Sequence, residues 1–93
     1  MKDYREYLEP GVKESFESAV TALREKVGEA AATIADMHIN EAIVDYKMAS
    51  YMYGYFTAMA ETIPECRIIF YTAATNMIHF KYYNYNEEEY DYD

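Results

Sequence analysis

One apolar stripe dominates the middle of this chain. Ala32, Ala35, Ile39, Ala42, Tyr46, Ala49, Tyr53, Phe56, Ala60 and Ile63 follow one another at spacings that alternate between three and four residues without a miss. That period keeps one face of an α-helix apolar and does not fit the two-residue period of a strand. A second helical stripe precedes it in a different phase: Phe16, Val20, Leu23, Val27, Ala30 and Ile34, with Lys13, Glu17, Arg24 and Glu25 largely off it. The offset requires a change of face between Gly28 and Asn40. A break within 28–40 is preferred to one continuous bent helix, with Gly28 ending one helix and Asn40 capping the next.

The start of the first helix is marked by Pro10-Gly11, because proline suits the first helical turn. Residues 1–9 ahead of it read as a short arm. Past the central stripe, Thr62-Ile63-Pro64-Glu65 reads as a new helix start: Thr62 as cap, Glu65 completing a capping box, Pro64 in the first turn. The stripe expected of this third helix is Ile68, Tyr71, Thr75, Ile78, Tyr82. The competing reading is a β-hairpin turning at Ala74-Thr75-Asn76, since 67–72 and 77–85 are rich in β-branched and aromatic residues. Helix is preferred, because the capping box is specific and the turn would lack glycine. The sequence therefore predicts an all-α fold of three helices over residues 1–83. The alternative is α+β, a helical hairpin followed by a β-hairpin.

From Tyr82 the composition changes. Five tyrosines, five carboxylates and two asparagines fill the last twelve residues, and no cation is among them. This segment supplies five of the nine net negative charges. With little aliphatic content, residues 84–93 are expected to form an acidic tail without regular structure. An acidic block repels anions and attracts basic surfaces, and its tyrosines can stack or hydrogen-bond. The expected partner-binding residues are Tyr82, Tyr83, Tyr85, Glu87, Glu88, Glu89, Tyr90, Asp91, Tyr92 and Asp93. In an extended chain, alternate side chains such as Asp91 and Asp93 lie about 6.6 Å apart, close to the spacing of phosphates along one strand. Tyr90 and Tyr92 match the arginine and aromatic platforms that stack bases.

The central helix is apolar on more than one face. Met48, Tyr51, Met52, Tyr55 and Met59 add to its main stripe, which points to a homodimer interface there. His38, Glu41 and Asp45 share a narrow arc at helical spacing and form a weak candidate metal site, lacking a second cluster of ligands. Cys66 is the only cysteine, which excludes an intramolecular disulfide. Its place near a helix start would favour the thiolate, but no base is identifiable beside it. Glycine-rich phosphate loops, zinc spacings and nucleophile elbows are all missing from the sequence.

The chain is accordingly expected to be a non-enzymatic protein-binding module without a cofactor. Its expected partner is a basic, nucleic-acid-binding protein, whose site it would fill as an inhibitor or nucleic-acid mimic. Direct binding to nucleic acid or to an anionic membrane is opposed by its charge. The charged N-terminus lacks the apolar stretch of a signal peptide, and the uncharged run from Met48 to Ala60 covers only thirteen residues, so a cytoplasmic location without a membrane span is expected. Two other functions compete: a structural homo-oligomer with a solubilising tail, and a metal-dependent or thiol enzyme, the least supported.

Overall fold

The computed structural model describes residues 4–90, with the side chains of Tyr4, Glu6 and residues 8–80. The fold is all-α, and no strand occurs among the described residues. A one-turn helix α1 (Tyr4–Tyr7) leads into α2 (Pro10–Lys26), α3 (Glu29–Ala42), α4 (Tyr46–Thr62) and α5 (Arg67–Tyr90), with a 3-10 turn (Pro64–Cys66) between the last two. Among the described residues no helix is long and apolar enough to cross a membrane.

Proline opens α2 as expected, and Gly28 closes it. The N–H groups of Val27 and Gly28 both donate to the Leu23 carbonyl, at 2.8 and 2.9 Å. Gly28 then takes φ 144° and ψ 170°, a region almost confined to glycine, and redirects the chain into α3. The stripe Phe16, Val20, Leu23 is buried, whereas Val27, Ala30 and Ile34 beyond it face solvent.

The central stripe belongs to two helices rather than one, so four long helices replace the expected three. The break is Ile43-Val44-Asp45. Asp45 is extended, and its carboxylate accepts the Lys47 N–H at 2.9 Å, an N-cap that starts α4. Asn40 caps nothing in α4; its side-chain oxygen accepts the Tyr4 N–H at 2.7 Å. The spacing of four from Ala42 to Tyr46 equals one helical turn, which is why periodicity passes over the break. The stripe itself is the buried face: Ala32, Ala35, Ile39, Ala42, Ala49, Phe56 and Ala60 are in the core.

The turn into α5 also differs from expectation. Thr62 ends α4, with its hydroxyl donating to the Ala58 carbonyl at 2.7 Å, so the Thr62/Glu65 capping box does not form. The break falls at Ile63, where the following proline disfavours helical geometry. The face of α5 is likewise shifted. Ile68 is 82% exposed, and Tyr71 and Thr75 also face solvent. The buried set is Cys66, Phe70, Ala73, Ala74 and Met77.

The core is a small aromatic stack set among alanines. Phe56 and Phe70 stack at 6.2 Å, and Phe16 contacts Tyr4 edge-on at 6.0 Å and Phe80 at 6.1 Å. Alanines on α2, α3, α4 and α5 let the helices approach closely. The N-terminal arm is part of this core. Tyr4 is fully buried, and its hydroxyl donates to the Asp36 carboxylate at 3.0 Å.

Candidate functional site

Two surfaces stand out, and the first follows from helix lengths. α5 runs antiparallel to both α2 and α4. Asn76 donates to the Ser15 hydroxyl at 2.7 Å, and Phe70 lies on Phe56. Counting along the helices from these two contacts, Pro10 of α2 and Tyr46 of α4 both lie level with about residue 81 of α5. α5 has 24 residues against 17 in each of these neighbours. Its last turns therefore pass the first residues of both.

This overhang carries, by position, Tyr82, Tyr83, Tyr85, Glu87, Glu88, Glu89 and Tyr90. Their side chains lie outside the described residues, as do Asp91, Tyr92 and Asp93 altogether. Residues 84–90, expected without regular structure, continue the helix of α5. Glutamate is a good helix former, and extending a packed helix needs no new nucleus. Three glutamates at a helix C-terminus nonetheless oppose the macrodipole. The extended spacing expected of Asp91 and Asp93 lies outside the described residues.

The second surface lies between α3 and α4. The His38 ring meets Tyr51 edge-on at 5.6 Å, Tyr51 stacks on Tyr55 at 6.3 Å, and Tyr55 tilts against Phe56 at 5.9 Å. Of these, His38, Tyr51 and Tyr55 line a hollow of 240 Å³ together with Ala31, Ile34, Ala35 and Met52. Burial raises the Tyr55 phenol above its ordinary pKa of 10.0, and the neighbouring Tyr51 adds to the rise.

The expected dimer residues divide here. Tyr51 is exposed, and Met48, Tyr55 and Met59 are half-buried. Met52 is buried at the floor of the hollow and offers nothing to a partner. Ile34 and Met37 lie on the same side, exposed by 51% and 56%, and Ile34 is the one the sequence does not place there. Helical spacing puts Ile34 on the stripe that begins at Phe16, whereas the turn at Gly28 sets it on the outside of α3.

The weak metal set comes apart. Asp45 caps α4 beyond the end of α3, and His38 packs on Tyr51. No three His, Cys, Asp or Glu side chains converge among the described residues. Cys66 is buried in the turn before α5 and borders an open groove of 560 Å³ whose walls include Glu14, Glu17 and Glu25. Compared with known proteins, the chain matches no family model, no curated protein and no solved structure.

Proposed function

We propose that the protein is a non-enzymatic binding module whose acidic, tyrosine-rich C-terminal segment occupies a basic, nucleic-acid-binding site on a partner protein. The observation that carries this reading is the overhang. By register α2 and α4 lie level with α5 only as far as about residue 81, and the acidic block follows that point in sequence. A segment beyond that register, with five carboxylates and no cation, is suited to a basic groove. Carboxylates would stand where phosphates bind, and tyrosines would supply the apolar anchors that hold a complex together.

Affinity capture tests this with two chains, one complete and one ending at Tyr83. The complete chain should retain a basic nucleic-acid-binding protein that heparin elutes, and the shortened chain should not. Equal retention by both would move binding to the helical body and end the mimicry reading. A structural homo-oligomer with a solubilising tail is the second reading; the uncharged surface between α3 and α4 favours it, and capture of nothing by either chain would support it.

A further inference from the structure

We infer that the face formed by α3 and α4 docks a second copy of this chain, giving an isologous dimer independent of the acidic segment. The face is defined by what it lacks. On α3, Ala30, Ala31, Ile34, Met37 and His38 point one way; on α4, Met48, Tyr51, Tyr55, Ala58, Met59 and Thr62 share one arc. None is Asp, Glu, Lys or Arg, in a chain where those types make up 27% of residues. Glu41 continues the same arc one turn beyond Met37 and His38, at the end of α3, and Lys47 stands at the start of α4 with the opposite sign.

Charge selects the occupant. The chain carries nine net negative charges, and the α2 side displays Glu14, Glu17 and Glu25 around its groove. Two copies meeting there, or through the end of α5, would bring carboxylates together, a juxtaposition that suppresses association. A basic partner, the kind the rest of the surface attracts, finds only Glu41 to pair with on α3–α4, beside Lys47 of opposite sign. A second copy brings the same uncharged aromatic face.

Shape and area agree with this. The rim of the hollow holds Ile34, with Met37 one turn along, and its walls are Tyr51 and Tyr55. A twofold axis places the rim of one copy in the hollow of the other, so that residue i meets j and j meets i. Ile34, Met37 and Tyr51 are each more than half exposed and together offer roughly 300 Å² of apolar surface, the core of a small interface. A tenth of the 5828 Å² protomer surface, the usual share for a specific complex of small proteins, is roughly 600 Å², and these three side chains supply about half of it.

Dimerisation would also present two acidic segments at once, raising avidity for a partner with two basic sites.

Sedimentation velocity on the full chain across a concentration series tests the inference, with circular dichroism as a check on folding. The wild type should be a dimer, and added salt should tighten it by screening self-repulsion. Ile34→Glu should raise the dissociation constant by about 100-fold, as loss of a buried interface anchor does. Ile34→Lys should weaken it similarly; if added charge alone were at work, lysine would instead strengthen association of so acidic a chain. Ile68→Glu, on α5 and more exposed still, should leave the dimer unchanged. A wild type that stays monomeric at high micromolar concentration, or an Ile34→Glu chain as dimeric as Ile68→Glu, would overturn the inference. Neither result bears on the acidic segment, whose test is capture by the shortened chain.

Discussion

Phe70 stacks on Phe56 with ring centroids 6.2 Å apart and planes 21° apart. The pair joins the first turn of α5 to the second half of α4 and fixes the register that carries α5 past Tyr46. Both rings are fully buried. Phe70→Ala should cost about 3–5 kcal/mol, the usual penalty for emptying a buried aromatic site. The double variant with Phe56→Ala should cost less than the two single losses added, because the rings touch. Urea denaturation of the four chains measures this coupling.

The N-terminal arm is held by Tyr4, which is buried and hydrogen-bonded from both its backbone N–H and its hydroxyl. Tyr4→Phe, which keeps the ring and loses the bond to Asp36, should cost about 1 kcal/mol. Tyr4→Ala should cost about 3–5 kcal/mol by exposing Phe16. A Tyr4→Ala chain as stable as Tyr4→Phe would mean that the arm contributes nothing to the core.

Gly28 sits at φ 144° and ψ 170°. A side chain would meet no atom there, so any penalty comes from the backbone alone. Gly28→Ala should cost about 1–3 kcal/mol, read as a lowered urea midpoint with unchanged slope.

The Tyr55 phenol has a raised pKa through burial and the nearby Tyr51. Its proton is held more tightly in the folded chain than in the unfolded one. The stability it contributes is therefore intact below its ordinary pKa of 10.0 and is lost as pH rises through the folded value. Melting temperatures followed from about pH 9 to about pH 12 should fall more steeply for wild type than for Tyr55→Phe, which cannot ionise. Parallel curves would remove Tyr55 from the alkaline response.

Most of the fold could be read from residue spacing, and the failures have physical causes. The buried faces of α2 and α3–α4 follow their stripes because the apolar residues there are evenly spaced. The break between α3 and α4 stayed hidden because Ala42 and Tyr46 are one turn apart on either side of it; Asp45, a good cap, was the available signal. The phase of α5 was misread because Ile68 and Tyr71 are larger and more apolar than Ala73 and Ala74, which do the packing. Small residues fill a core where helices approach closely, and they carry little weight in a pattern of hydrophobic bulk. The aromatic surface is legible in part: helical spacing groups Met37 with Tyr51 and Tyr55, and Ile34 needs the turn at Gly28 to place it. The anchoring of Tyr4 by Asn40, 36 residues away, has no local signature at all.

Competition at the partner's own site tests the central claim most directly. Labelled nucleic acid is bound to the captured partner, and the full chain is titrated in at several salt concentrations. The chain should displace the nucleic acid. Replacing Glu87, Glu88, Glu89, Asp91 and Asp93 with Asn or Gln should abolish displacement mainly by slowing association, and salt should weaken it as the screening length falls from about 10 Å at 0.1 M to about 3 Å at 1 M. Replacing Tyr90 and Tyr92 with Ala should instead speed dissociation. A ternary complex of partner, nucleic acid and this protein, or displacement untouched by the neutralised segment, would contradict the account.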